Sequence, residues 1–188
     1  ITDIAYVSGK ESSIDIAERY KAYMTVLQDN NLTVDQNKVF TIDSCDYHCA
    51  YNFFVDYIKS GKKMPQAFAC ANDYIALALL KVCNENKIRV PEDLKILGYD
   101  DLEYSRSIKP SLTTVKSNAG QIGAETISRL LYNSAGVQIL KMKSSPVFRQ
   151  SCGCSYSTTN DQNVMALNIL GDSSRKEEFD THMELIGE

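Results

Sequence analysis

Residues 67–101 read AFACANDYIALALLKVCNENKIRVPEDLKILGYDD, and the fold turns on how this stretch divides. Ala67 to Ala71 is a short apolar run of strand length. Asn72 and Asp73 follow, residues whose side-chain oxygens accept from the free N–H groups of a helix's first turn. Tyr74 to Asn86 is strongly apolar at helical length, Val90-Pro91-Glu92-Asp93 reads as a turn, and Leu94 to Tyr99 is a second strand. Strand, helix and strand joined by short connections form the unit of a parallel sheet.

The same rhythm extends upstream. Asp3 to Val7 reads as a strand closed by Ser8-Gly9, and Ile14 to Gln28 as an amphipathic helix with Ile16, Tyr20, Tyr23, Met24 and Leu27 at spacings of three and four. Val39 to Ile42 is a further strand, and Asp46 to Ser60 a helix closed by Gly61. Downstream of Pro110 the pattern loosens. Leu112 to Val115 reads as a brief strand and Ala119 to Tyr132 as a helix with Ile122, Ile127, Leu130 and Leu131 on one face. Two more strands are expected at Val137–Met142 and Val147–Gln150, then a polar linker over Ser155–Gln162 and a helical pattern from Val164 to Ile186. The expectation is an α/β domain: a parallel sheet flanked by helices.

Composition narrows the function. With 188 residues, 44% hydrophobic and 23% charged, the chain is long enough for one domain with a real core. A net charge of −4 without a Lys/Arg block lacks the electrostatic footprint of a nucleic-acid surface. No apolar run approaches bilayer-spanning length, and ITDIAYVSGK has neither the basic nor the apolar region of a signal peptide, so no membrane partner is expected. The six cysteines do not suggest a disulfide scaffold, which favours a cytoplasmic location. A zinc site from Cys45, His48, Cys49 and the Cys152-Gly153-Cys154 pair is disfavoured, because the adjacent His48 and Cys49 splay apart on a helix. No metal and no cofactor is expected.

In an open parallel sheet, ligands sit beyond the carboxyl ends of the strands. Those ends carry Ser8-Gly9, Asp43, Asn72 with Asp73, and Asp100 with Asp101. Singly, Asn72 and Asp73 are as well read as helix caps, Asp100 and Asp101 as turn residues, and Arg19 as a solvated charge. Together they supply the hydrogen bonds that a polar, polyhydroxylated small molecule needs, and an arginine among them could bridge two oxygens with its planar fork. Catalytic signatures are missing: there is no nucleophile elbow and no phosphate-cradling loop, and Asp100 and Asp101, on an extended strand end, should point to opposite sides. A non-enzymatic binding role is expected.

The ordered motifs ANDYIALALL, RVPEDLKILGYDD and PSLTTVK, with the helix from Ala119 after them, closely resemble the effector-binding domain of LacI/GalR-type bacterial regulators. Upstream, IAYVSGKESSIDIAERYKAYM resembles the opening of that family's second lobe. The resemblance implies a three-layer, periplasmic-binding-protein-like fold and a sugar, nucleoside or related metabolite as effector. It implies ligand contacts from Arg19, Asn72 and Asp100, with Asp15 at a loop position that often contributes, and structural roles for Asp73 and Asp101. It covers residues 1–154, mostly the second lobe, with 116–133 returning to a first lobe that is largely missing; 155–188 would be linker and helical tail. A homodimer is expected, with DNA contacted only through a headpiece absent from this chain. The ending RQSCGCSY also resembles sensor domains fused to diguanylate cyclase, histidine kinase or AraC-type output modules, and a transport-type sugar-binding protein stays open as a further alternative.

Overall fold

The computed structural model describes residues 1–10, 13–132 and 142–154. Four strands, β1 (Ile4–Gly9), β2 (Val39–Ile42), β3 (Ala67–Cys70) and β4 (Lys95–Leu97), form a parallel sheet in the order β2-β1-β3-β4. Between them run α1 (Ile14–Asp29), α2 (Tyr47–Lys59) and α3 (Asp73–Glu85). The register pairs Tyr6 with Val39 and Ala69, and Val7 with Phe40 and Cys70.

Side-chain alternation sets the layers. Phe40 and Phe68 lie on one face and meet Phe53, Phe54 and Tyr57 of α2, with ring centroids 5.4–5.9 Å apart. Tyr6 points to the other face, where Tyr23 of α1 stacks on it at 5.2 Å and Tyr20 lies tilted against it at 5.6 Å. Helices therefore cover both faces, as a parallel sheet requires. Beside α2 and against the sheet, α3 buries Ile75, Leu77, Leu79 and Val82 completely. Each such side chain contributes about 1.5–3 kcal/mol on removal from water.

The chain then leaves this sheet. After the short α4 (Glu103–Ser107), β5 (Thr114–Lys116) pairs antiparallel with β6 (Ser145–Val147). Single bridges from Leu97 to Thr113 and from Asp100 to Lys116 join this pair to the end of β4. Beyond β5, α5 (Ala119–Leu131) has no buried residue, and its Ile127, Leu130 and Leu131 are exposed.

Most predicted elements are present with shifted ends, and the differences have causes. The strand expected over Leu94–Tyr99 is only three residues long, because Gly98 and Asp100 turn their N–H groups to Thr113 and Val115 of the next segment. The strand expected over Val147–Gln150 ends at Val147, and Gln150–Cys152 form a 3₁₀ turn instead. Apart from Met142, the strand expected over Val137–Met142 lies outside the described residues, as does the helical tail.

Candidate functional site

Gly98 opens the turn for a steric reason. A Cβ there would sit 2.2 Å from Asp73 Oδ1 and 3.0 Å from Leu112 Cδ2. Asp73 is completely buried and accepts three hydrogen bonds: from Thr114 Oγ1 (2.6 Å), Ser105 Oγ (2.6 Å) and the Leu102 N–H (2.9 Å). Burial pushes its carboxyl pKa up, and the three donors only partly offset that. Asp73 thus ties α3 to α4 and β5. The cap of α3 is Asn72, whose Oδ1 accepts from the Ile75 N–H at 3.0 Å.

Asp100 and Asp101 were expected on an extended strand end, and here the structure corrects the reading. Both have left-handed backbones, with φ of 120° and 58°. Such values are uncommon outside glycine, cost about 1–3 kcal/mol each in sparsely populated regions, and cluster at functional sites. The two carboxylates do diverge, but the turn separates them rather than strand alternation. Asp101 points inward and pairs with Arg149 (2.5 Å) and Arg106 (2.8 Å). Arg149 is itself buried and donates to the Leu112 carbonyl at 2.8 Å. Burial raises the Asp101 carboxyl, but the two arginines outweigh it and hold the group below the usual range.

Asp100 points the other way, toward α1. There Arg19 donates to the Ala71 carbonyl at the end of β3 (2.6 Å) and to Asp15 one helical turn earlier (3.0 Å), and lies 3.6 Å from Asp100 Oδ1. Its guanidinium carbon sits 3.8 Å from the centroid of the Tyr99 ring, a cation–π stack. Far from being solvated, the Arg19 side chain is only 19% exposed. Asp15 and Asp100 remain open to solvent at 59% and 30%. Partial burial is the main influence on Asp100 and lifts it to about 6, against the pull of Arg19. Asp15 is held below its usual value, chiefly by the Ser13 hydroxyl and also by Arg19.

The structure therefore brings Asp15, Arg19 and Asp100 together at the carboxyl ends of β1, β3 and β4. Asn72 lies beside them, but both ends of its amide are engaged within the protein, Nδ2 donating to the Cys45 carbonyl at 2.9 Å. Asp43 at the end of β2 is paired with Lys10 at the rim. Sequence reasoning missed Tyr99 as a platform and Arg149 as the counter-ion of Asp101. For Arg149 the only signal was a charge directly after the apolar Val147-Phe148. One arginine between an exposed and a half-buried carboxylate presents an acceptor-rich surface suited to hydroxyl and amine donors. Among the described residues no group of three or more His, Cys, Asp or Glu is placed to hold a metal ion.

A parallel sheet with helices on both faces, polar groups gathered at its strand ends and an antiparallel pair leaving its edge is one lobe of a periplasmic-binding-protein-like domain. Residues 1–152 match the family model described as periplasmic binding protein-like domain, and the chain belongs to that family. It is similar to the HTH-type transcriptional repressor PurR of Vibrio campbellii, 31% identical over 131 residues covering 69% of this chain and 38% of the relative. PurR of Histophilus somni is 29% identical over 68% of this chain and 38% of its own length. The chain thus spans well under half the length of these relatives. Among solved structures, a LacI-family transcriptional regulator from Sanguibacter keddieii superposes with a TM-score of 0.71 at 26% identity, covering 81% of this chain and 59% of that one. A lac repressor dimer bound to operator superposes at 0.66 with 27% identity, covering 80% and 52%.

Proposed function

We propose that this chain is the effector-sensing domain of a LacI/GalR-like transcriptional regulator, binding a small polar metabolite such as a sugar or nucleoside and carrying out no catalysis. Arg19, Asp15 and Asp100 hold the ligand, with Asn72 shaping the wall behind them. The observation that carries this reading is the Arg19 guanidinium, stacked on Tyr99 and fixed between two solvent-accessible carboxylates where a parallel sheet places its ligands. A further wall of the cleft would come from a first lobe, reached through the β5–β6 pair and α5. Ligand closure of the two lobes shifts the population passed to the output.

The regulator acts in the cytoplasm as a homodimer and meets DNA through a headpiece outside these residues. The DNA-bound lac repressor dimer among the structural relatives supports that arrangement for a chain of this fold. In this reading residues 1–154 are the sensor and 155–188 a linker and helical tail. That tail pattern keeps a second reading in play, in which the same sensor drives a downstream signalling module.

A thermal-shift screen of sugars and nucleosides on the full-length protein tests the proposal, since a ligand that binds the native state raises its stability. The hit should lose its calorimetric signal in both Arg19→Ala and Asp100→Ala while each variant unfolds cooperatively. Wild-type affinity in both variants would remove the assigned site.

A further inference from the structure

At the opposite end of the sheet from the Arg19 cluster, the chain closes against the start of β4 through Arg149-Gln150-Ser151-Cys152-Gly153-Cys154. Ser151 Oγ donates to the Ile96 carbonyl at 2.6 Å and accepts from the Thr113 N–H at 2.8 Å. Gln150 Oε1 accepts from the Ser111 N–H at 2.8 Å. The 3₁₀ turn is therefore pinned to the lobe up to Cys152. Gly153 then adopts φ 76°, a left-handed conformation that glycine enters without steric cost, and the chain doubles back. As a result the Cys154 N–H donates to Cys152 Sγ at 3.3 Å. Cys154 is exposed and Cys152 half-buried, and both are free thiols.

We propose that Cys152 and Cys154 form a reversible dithiol–disulfide site that reacts with low-molecular-weight disulfides, Cys152 acting as nucleophile and Cys154 as the resolving thiol. The Cys152 thiolate attacks one sulfur of the small disulfide, forming a mixed disulfide and releasing one thiolate. The Cys154 thiolate then attacks Cys152 Sγ, expelling the second. The two protein thiols give up two electrons and two protons, and the small disulfide becomes two thiols.

The surroundings fit this division of labour. Burial raises the Cys152 thiol, which also donates to the Arg149 carbonyl at 3.4 Å, but hydrogen bonding from the Cys154 side chain and nearby backbone N–H groups outweighs this, leaving the thiol below its ordinary value. The contact with Cys152 raises Cys154, which Lys95 partly counters. A Cβ on Gly153 would lie 3.6 Å from Lys95 Nζ, so this ammonium packs directly against the turn. The core thiols have no such setting: burial alone pushes Cys83 up to about 12, and Cys70 is likewise raised and sealed inside. Exposure and turn geometry thus set the pair apart from the sealed Cys70 and Cys83.

The test exposes full-length protein to oxidised glutathione, blocks the remaining thiols and maps the cysteines by peptide mass. The expected product is a peptide lighter by two hydrogens that carries Cys152 and Cys154 joined, restored by reduced thiol. Cys154→Ser should hold a stable glutathione adduct on Cys152, because nothing resolves it. Cys152→Ser should react more slowly than wild type at neutral pH. The proposal is overturned if wild-type Cys152 and Cys154 stay free for blocking, if a persistent adduct accumulates on wild type, or if the joined pair involves another cysteine. Equal rates for Cys152→Ser and wild type would likewise remove the nucleophile assignment.

Discussion

Asp100 and Asp101 are neighbours in sequence but belong to different regions of the protein. Asp101, with Asp73, Arg149, Ser105 and Thr114, makes up a buried floor in which each carboxylate has its donors supplied. Asp100, with Asp15, Arg19 and Tyr99, makes up a rim in which carboxylate oxygens stay open to solvent and the backbone is held at φ 120°. Floor and rim use the same residue types. The difference lies in satisfaction: a saturated acid holds the fold together, whereas an under-satisfied one has capacity left for a ligand.

That contrast puts the largest loss of stability in the floor. Asp101→Ala leaves Arg149, only 5% exposed, without its carboxylate. Breaking a buried pair from one side costs about 3–5 kcal/mol, and urea unfolding should show a loss of that order. A loss no greater than that of a surface substitution would mean the pair is solvated in solution. The same linkage makes this pair's contribution acid-sensitive. The folded-state pKa of Asp101 is depressed, so its contribution is present at neutral pH and lost as pH falls through that lowered value.

Gly98→Ala should come next. Its Cβ would need Asp73 Oδ1 to retreat from 2.2 Å, in a core where Leu112 is already 3.0 Å away. Overpacking of this kind typically costs about 1–3 kcal/mol. The displaced atom also accepts from Thr114, so the substitution should uncouple β5 from α3. Faster amide exchange at Thr114 to Lys116 than in wild type would report that loosening, and unchanged exchange would show that Asp73 can move without cost.

The floor and the rim were not equally legible in the sequence. The alternation of strands and helices, and the cap at Asn72, follow from local patterns and are present with small shifts at their ends. The resemblance carried by GYDD and ERYKAY pointed to Arg19 and Asp100, which the structure brings within 3.6 Å. What stayed hidden was long-range. Arg149 reaches Asp101 across 48 positions, and Thr114 reaches Asp73 across 41. No periodicity encodes such pairings, because they depend on where β5 and the final turn dock. The positive φ values at residues 100 and 101 were hidden for the same reason, since Asp is an ordinary residue in many turns and only the docked chain forces this one.

The smallest effect on stability should come from the rim, and its sign should be reversed. Burial lifts the Asp100 carboxyl to about 6 in the folded protein, well above the ordinary aspartate value. The folded state therefore holds this proton more tightly than the unfolded chain does. As pH rises through the window from about 4 to 6, the unfolded chain releases its proton first and the native state loses stability. Above that window the ionised Asp100 is a net cost, relieved only partly by Arg19. Asp100→Asn should thus raise the urea midpoint at pH 8, by less than either floor substitution lowers it, and the gain should vanish below about pH 4, where both proteins are neutral at this position. The same variant should lose ligand binding in the full-length protein, since an amide cannot supply the second acceptor oxygen that the carboxylate offers. Stability gained together with affinity lost is the signature of a residue kept for a ligand, and a midpoint that falls at pH 8 would place Asp100 in the floor with its neighbour.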